Sequence, residues 1–398
     1  MPKLTHTSSR ARAIIALSLF TLIALLLAAC AEDQAAEEEA AAEQEEEAPA
    51  EEETPAEEET PADDDAGAED EEALELWHEM TPSDEAQVVD TSEYATDEEE
   101  LVLGYTDMGP VNSWRVQAHG SAQMVADELG VELVMTDAGG DATKQISDTE
   151  DLLARGVDAL LISPVAPEPV VPVVERAFES GIPVIIFDSD IDTEQYTAKV
   201  IADDWFFGYA GGQQLAEDLG GEGDVVMLRG IAGNAVEELR YQGAADALAE
   251  SDVEIIAEEY GDWAFDQGKA ITETFIAAHP QIDGVWSSGA AMNRGAIEAF
   301  LEADMDIPPM SGEHLNGFLK EWAEHDIEAV APVFPSWQAP EAVKLAVRIL
   351  RGMDVHDDYL LQPEPIVNAE DAVLPDVSDD YWVEGYLSED EVLEIFPN

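Results

Sequence analysis

The sequence predicts an α/β protein in which two doubly wound parallel-sheet lobes follow a disordered acidic tether. Three observations favour this fold class. From Leu101 onward, short apolar runs alternate with amphipathic stretches, which is the rhythm of βαβ units around parallel sheets. The 298 residues from Leu101 to Asn398 are enough for two lobes with separate cores. The residues between Cys30 and this part of the chain are mostly Ala, Glu, Asp, Pro and Thr.

The first thirty residues are predicted to be a lipoprotein signal peptide. Lys and Arg near the start precede an apolar run over residues 13–27, which has the length of a signal-peptide core and is short for a membrane span. Ala28, Ala29 and Cys30 follow and resemble the lipobox of bacterial lipoproteins, in which the cysteine is lipidated. Cys30 is the only cysteine, so it is expected to anchor the protein outside the cytoplasm, on the membrane, and no internal disulfide is expected. An ordinary cleavable signal or an uncleaved anchor helix is the alternative.

The next segment is predicted to be a disordered linker over residues 31–86. Between Ala31 and Glu100 there are 32 acidic residues and no Lys or Arg. Such a segment buries too little apolar surface to offset chain entropy, and its like charges and prolines keep it extended. We expect it to hold a globular domain over residues 87–398 away from a membrane. An acidic tail that binds a basic partner is the alternative.

The acidity continues into the predicted globular part. From Leu101 on, 59 acidic residues face 13 Lys and Arg, a net charge near −46. Self-repulsion of this size destabilises the compact state where salt is low and screening is long-ranged, so we expect a halophilic, salt-rich setting. The same charge excludes nucleic acid as a partner, because almost nothing is present to neutralise phosphates.

Hydrophobic periodicity places the individual elements of the two lobes. Strands are expected at residues 101–105, 131–135, 159–163, 183–187, 224–228, 253–257, 284–287 and 329–334, with a further strand end near residue 311. Helices are expected at residues 113–129, 143–155, 169–179, 206–219, 235–249, 264–278, 292–301, 317–324 and 338–351. Left-handed glycines are expected to end helices at Gly130, Gly156, Gly181 and Gly220.

Polar and aromatic residues follow several of the predicted strands. In open α/β sheets, ligands bind outside the carboxyl ends of the strands. Trp114 and Arg115 follow the first strand, Asp188 follows the fourth, and Trp263 and Glu313 follow strands later in the chain. Flat rings cover apolar C–H faces, and carboxylate and guanidinium groups hold hydroxyls. This composition is typical of a carbohydrate pocket.

Several short stretches, in matching order and spacing, are similar to those of the ribose- and galactofuranose-type periplasmic binding proteins of ABC sugar transporters. The resemblance extends over about residues 90–369. The stretches are NSWR at 112–115, GVDALLISP at 156–164, GIPVIIFD at 181–188, LRGIAGN at 228–234 with Arg240 behind it, and GAIEA at 295–299.

The resemblance implies a type I arrangement of two lobes joined by a three-strand hinge. The first lobe would comprise about residues 101–203 and 334–368, and the second about 204–333 and 369–398, with crossings near Asp203, Phe334 and Asn368. A sugar or similar polar solute would lie between the lobes, and hinge closure would present a closed form to an ABC transporter permease. The family resemblance also implies a monomer without a cofactor or metal, and a binding protein rather than an enzyme.

In the first lobe, the resemblance implies four ligand-binding residues. Trp114 matches the stacking aromatic of the first-strand loop, with Asn112 just before it and Arg115 at the position of an arginine found in galactofuranose-type members. Asp188 matches the carboxylate that accepts hydrogen bonds from sugar hydroxyls. The alternative for Trp114 is packing within its own lobe.

In the second lobe, the resemblance implies three more ligand-binding residues. Arg240 matches the second-lobe arginine, Trp263 the aromatic on the opposite sugar face, and Glu313 stands where the family usually has an aspartate. The alternatives are a surface ion pair for Arg240 and a packing role for Trp263. The chain departs from the family at Ser189, where arginine is common, and at residues 289–291, where Asn-Asp is common, so the sugar remains open.

Other site chemistries are disfavoured by the sequence. The run Asp188 to Asp192 begins like a calcium loop, but Thr193 and Lys199 occupy the positions that need glycine and a bidentate acid. The histidines show no metal-ligand spacing, and no phosphate loop or nucleophile elbow is present. A ligand-sensing receptor coupled to a membrane signalling partner is the main alternative to a transport protein. A glycosidase, which needs two carboxyls flanking a bond, is a weaker one.

Overall fold

The structure is a computed structural model that describes residues 73–78, 80–362 and 364–397. The predicted signal peptide, Cys30 and the linker before residue 73 lie outside these residues. Within them, no helix is long and apolar enough to cross a membrane.

Thirteen strands and ten α-helices make up the described part of the chain. The strands are β1 (Val88–Val89), β2 (Val102–Asp107), β3 (Glu132–Asp137), β4 (Ala159–Ile162), β5 (Val184–Phe187), β6 (Ala198–Ala202), β7 (Glu222–Arg229), β8 (Asp252–Tyr260), β9 (Gly284–Ser287), β10 (Met310–Ser311), β11 (Ala329–Val330), β12 (Val355–His356) and β13 (Asp358–Leu361). The helices are α1 (Ser113–Glu128), α2 (Ala142–Arg155), α3 (Pro167–Glu179), α4 (Asp204–Asp218), α5 (Ala235–Leu248), α6 (Phe265–Ala278), α7 (Ala290–Glu302), α8 (Asn316–His325), α9 (Gln338–Leu350) and α10 (Glu389–Ile395).

The first lobe is a parallel sheet of six strands in the order β13-β6-β5-β4-β2-β3. Its central strands β4 and β5 are buried along their whole length, as expected of strands covered by helices on both faces. Alternate residues face opposite sides, because the side-chain period of a strand is two. Leu160 and Ile162 therefore pack against α2 and α3, whereas Leu161 joins the core under α1 and α9.

The second lobe is a parallel sheet of five strands in the order β11-β10-β9-β7-β8. Helices α4 and α5 cross beside it at unusually close range. A Cβ atom at Gly208 would lie 1.8 Å from the backbone oxygen of Arg240, and one at Gly243 would lie 1.9 Å from that of Trp205. Glycine at these two positions therefore brings the backbone of α5, including Arg240, directly against α4.

The two sheets confirm the predicted α/β class and the two parallel-sheet lobes. All the predicted strands overlap observed ones, and the four helix-ending glycines have positive φ. Strands β1, β6, β12 and β13 were not predicted, and the strand expected over residues 329–334 ends at Val330. Pro332 follows closely and has no N–H to donate to a ladder, which accounts for the early end.

The chain passes between the lobes near the three predicted crossings. It leaves the first sheet after β6 at Asp203, returns after β11 and leaves again after β13. The backbones of Ala331 and Ile366 exchange two hydrogen bonds of 2.8 and 2.9 Å, which joins two of the crossing strands. This pairing holds the hinge together beside the interlobe cleft.

A fourth crossing was not predicted. The Asn316 side chain of the second lobe holds the chain through hydrogen bonds to the backbone at Leu374, Val377 and Ser378. The chain then returns to the first lobe, where Tyr386 donates to Glu341 and α10 packs on α1. The assignment of residues 369–398 to the second lobe is therefore wrong for the part after about residue 383. The reason is that Trp382 is buried against the first lobe, a contact that sequence periodicity does not reveal.

The predicted linker also ends earlier than residue 86. Leu74 and Met80 are 7% and 6% exposed and belong to the core of the first lobe. The backbone N–H of Trp77 donates to Glu341 over 3.0 Å, and its ring packs edge-on against Tyr386 at 5.1 Å. Residues 73–78 and 80–86 are thus attached to α9, because three large apolar side chains among the acids find a buried surface there.

Candidate functional site

A cavity of about 370 Å³ lies between the two lobes, at the carboxyl ends of their strands. Its wall includes all seven residues predicted to bind a ligand, which are Asn112, Trp114, Arg115, Asp188, Arg240, Trp263 and Glu313. The residues at the two departures from the family pattern, Ser189 and Gly289 to Ala291, line the same cavity.

On the first-lobe side, Arg115 and Asp188 form a buried ion pair. Arg115 Nη2 lies 2.5 Å from Asp188 Oδ2, and its Nη1 lies 3.4 Å from Asp107 Oδ2. The Ser163 hydroxyl donates to the same Asp188 oxygen over 2.6 Å. Burial alone would lower the pKa of Arg115, but the nearby carboxylates of Asp188 and Asp107 raise it, so the guanidinium stays charged.

Asp107 completes this cluster beneath the cavity floor. Burial would raise its pKa, but the hydrogen bond from His119 and the charge of Arg115 outweigh burial and lower it. His119 Nε2 lies 2.8 Å from Asp107 Oδ2. Arg115 is thereby held from behind by Asp107 and presents its pairing with Asp188 to the cavity.

Trp114 has both a packing role and a place on the cavity wall. Its ring is 5% exposed, and its Nε1 donates to the backbone oxygen of Phe334 on the hinge over 2.8 Å. Asn112 caps the helix by accepting from the backbone N–H of Arg115 over 2.9 Å. The cap fixes the first turn of α1, so Trp114 and Arg115 enter the cavity from a defined direction.

On the second-lobe side, Arg240 is the centre of a buried cluster. Its Nε donates to Asp204 over 3.0 Å, and its Nη1 donates to Glu313 over 3.1 Å. The centroids of the Phe207 and Phe334 rings lie 4.0 and 4.3 Å from its guanidinium carbon. Arg240 is therefore not in a surface ion pair, which was the alternative for this residue.

Asp204 is a buried carboxyl of this cluster whose proton affinity is raised. Burial raises its pKa to about 7, although the charge of Arg240 acts in the opposite direction. The carboxylate of Asp188 across the cleft and that of Glu313 within the cluster raise it further. The cluster thus holds one carboxyl group that is close to titration at neutral pH.

Trp263 lies on the opposite wall in an uncommon backbone conformation. Its φ is 53°, and its Nε1 donates to the Ser288 hydroxyl over 3.1 Å. A Cβ atom at Gly230 would lie 2.3 Å from the indole, and one at Gly289 would lie 2.6 Å from it. Glycine at both positions leaves room for the Trp263 ring beside the cavity.

Two carboxylate oxygens at the cavity wall remain available to a ligand. Asp188 Oδ1 and Glu313 Oε2 accept no hydrogen bond from any residue in the described part of the chain. Such oxygens accept readily from hydroxyl groups, while aromatic rings such as Trp263 cover C–H faces. Within the described ranges, no group of three or more metal-ligating side chains is found.

Residues 109–354 match the family model described as the periplasmic binding protein domain. The chain belongs to this family. Periplasmic binding proteins bind solutes and do not transform them, and they act outside the cytoplasm. The chain is therefore an extracytoplasmic solute-binding protein and not an enzyme.

Relatives of this periplasmic binding protein include named sugar-binding proteins. It is 26% identical over 249 residues to the ribose import binding protein RbsB of Salmonella typhimurium, covering 62% of this chain and 84% of RbsB. It is 29% identical over 252 residues to the galactofuranose-binding protein YtfQ of Escherichia coli, covering 60% and 79%. A solved structure from Mycobacterium smegmatis in complex with β-D-fucofuranose matches with a TM-score of 0.63 and 28% identity, covering 68% and 92%.

Sequence reasoning missed several residues that line the cleft of this periplasmic binding protein or support its wall. Asp204 directly follows a predicted crossing at Asp203, so its position at a strand end was a usable signal. Phe334 was assigned only as a hinge residue. Asp380 and Trp382 also line the cavity, but they come from the fourth crossing, for which neither periodicity nor a motif gives a signal.

Proposed function

We propose that this protein captures a monosaccharide or a similar small polyol between its lobes and delivers it to the permease of an ABC importer. The observation that carries the proposal is the pairing of two buried clusters across one cavity. Arg115 with Asp188 faces Arg240 with Glu313, and the rings of Trp114 and Trp263 lie on opposite walls of the same cavity. Alternating hydrogen-bonding groups and flat rings suit a sugar ring, whose edges carry hydroxyls and whose faces carry C–H groups.

The proposal extends to the location of the protein. Lipidation at Cys30 would attach the chain to the membrane, and the acidic linker after it would let the lobes reach a permease. The net charge of −75 suits surroundings with high salt, where the Debye length is short.

A thermal-shift screen of the chain from residue 31 onward, in high salt, tests the ligand class. The panel contains pentoses, hexoses, polyols, nucleosides and amino acids. A ligand that binds only the native state raises the melting temperature, by an amount set by its concentration relative to its Kd. A shift from a sugar or polyol alone supports the proposal, and a shift from amino acids or nucleosides alone contradicts it.

Two variants show whether the shift arises in the cavity. Asp188→Asn removes the charge that faces the ligand, and Asp192→Asn makes the same change at an exposed position a few residues away. The first should abolish the ligand-induced shift and the second should retain it. Uptake of the same sugar by cells with and without the chain then separates transport from signalling, because a signalling receptor is not needed for uptake.

A further inference from the structure

The fourth crossing forms part of the cavity wall as well as a connection. We define the C-terminal crossing segment as residues 378–384. Two of its side chains, Asp380 and Trp382, line the cavity. Trp382 is 6% exposed, so most of its side chain is packed against protein where it meets the cavity.

Trp382 is fixed to the first lobe by Gln117, a fully buried residue of α1. Gln117 Nε2 donates to the Trp382 backbone oxygen over 3.0 Å, and its Oε1 accepts from the Trp382 backbone N–H over 2.9 Å. The indole Nε1 donates to the Ser113 hydroxyl over 3.0 Å, one residue before Trp114. These three bonds set both the backbone and the ring of Trp382 against the first two turns of α1.

The same segment is also bonded to the second lobe. The backbone N–H of Val383 donates to the oxygen of His314 over 3.0 Å, and the N–H of Asn316 donates to Tyr381 over 2.8 Å. Asp379 accepts from Arg294 on α7 over 3.2 Å. The segment therefore spans the cleft and is held from both sides.

Asp380 adjoins a part of the wall where two of the lining residues are alanines. Ala290, Ala291 and Arg294 line the cavity from the first turns of α7, and Arg294 is bonded to Asp379, next to Asp380. The Asp380 carboxylate accepts no hydrogen bond from any residue that the structure describes. It is thus an unused acceptor beside an apolar stretch of the wall.

From this arrangement we infer that the C-terminal crossing segment determines sugar specificity. Trp382 contacts the bound molecule, Asp380 accepts hydrogen bonds from hydroxyls that reach the α7 side of the cavity, and Gln117 is the positioning residue for Trp382. The inference rests on the proposed function, since it names further contacts in the same site.

The test measures affinities by isothermal titration calorimetry for D-ribose, D-allose and xylitol, which are a pentose, a hexose and an open-chain polyol. Asp380→Asn should weaken the best-bound of the three by about tenfold, the loss expected for a hydrogen bond to a charged group. Asp376→Asn, an exposed position of the same chain segment outside the cavity, should leave all affinities within about twofold.

Trp382→Phe separates a specificity role from a structural one, because phenylalanine still fills the core but is smaller and loses the Ser113 bond. A structural role lowers all affinities by one common factor, whereas contact with the ligand changes the ratios between the three compounds. Gln117→Leu should shift the same ratios, and the double variant should be no worse than Trp382→Phe alone, because one residue acts through the other.

The outcomes separate this inference from the proposed function. If the unaltered protein binds one of the three compounds and both Asp380→Asn and Trp382→Phe keep affinities and ratios within about twofold, the inference is wrong and the proposed function stands. If the unaltered protein binds none of them, nor any other sugar or polyol, the proposed function fails and this inference fails with it.

Discussion

Replacing Asp204 by Asn should remove a pH dependence of stability that comes from the second-lobe cluster. Asparagine keeps the size of the side chain and an oxygen that accepts from Arg240 Nε, but it does not titrate. Burial raises the pKa of Asp204 from 3.8 to about 7. At pH values between these two pKa values, the native protein holds a proton that the unfolded chain has released. The stability that this proton provides is complete below the unfolded pKa and is lost as pH rises through the folded pKa.

The size of the effect follows from the two pKa values. A shift of about three units corresponds to about 4 kcal/mol at about 1.4 kcal/mol per unit. Between pH 5 and pH 8, about 3 kcal/mol of this should be lost from the free energy of unfolding of the unaltered protein. The Asp204→Asn variant should not show this loss, so its stability relative to the unaltered protein should improve as pH rises.

Urea unfolding at pH 5, 6, 7 and 8, in high salt, measures the difference between the two proteins. Other carboxyls with raised pKa, such as the half-buried Asp218 and Glu321, are present in both proteins and cancel in the comparison. Glu217→Gln, which removes an exposed carboxyl from the same helix, should follow the unaltered protein. If Asp204→Asn instead shows the same decline between pH 5 and pH 8 as the unaltered protein, Asp204 does not titrate in this range and the reasoning is refuted.

Three further predictions concern the cleft, the N-terminal segment and the charge. Asp188→Ala should weaken sugar binding at least about tenfold without unfolding the lobes, because Arg115 keeps Asp107 as a partner. Calorimetry measures the affinity and a melting curve measures the stability, and a normal affinity would contradict the prediction. Leu74→Ala should lower the free energy of unfolding by about 2 kcal/mol. Val88 is 62% exposed, so Val88→Ala should change this free energy by less than about 0.5 kcal/mol, and equal effects of the two variants would contradict the packing of Leu74. Lowering the salt concentration should lower the melting temperature, and a constant or higher value would remove the high-salt expectation.

Much of the site could be predicted because its residues follow strands directly. Asp188 comes immediately after the buried run of β5, and Trp114 and Arg115 begin the helix after β2. For such residues, the position of the strand in the sheet fixes the edge at which the side chain emerges. The two-lobe fold was predictable for a similar reason, since parallel buried strands give apolar runs that a single sequence reveals.

The rest of the site depends on contacts between distant parts of the chain. Gln117 and Trp382 are 265 residues apart, and nothing near either residue indicates that they pair. Leu74 is surrounded by acidic residues, so composition predicted a linker, although Leu74 and a few other apolar side chains attach this segment to the first lobe. A surface ion pair was an alternative for Arg240 because nothing near it in the sequence indicates that it is buried. Its burial results from glycines that let α5 approach α4.

The meeting of the two described chain ends has a practical consequence for optical sensors. Trp77 and Tyr386 contact each other and the same carboxylate, Glu341, so both ends of the described chain are fastened to one lobe. Fluorescent proteins fused at these two ends would move together with the first lobe. The distance between them would therefore change little when the hinge closes. A sensor should instead pair an end fusion with a label on the far lobe, for which the exposed Leu301 at the end of α7 is a suitable position.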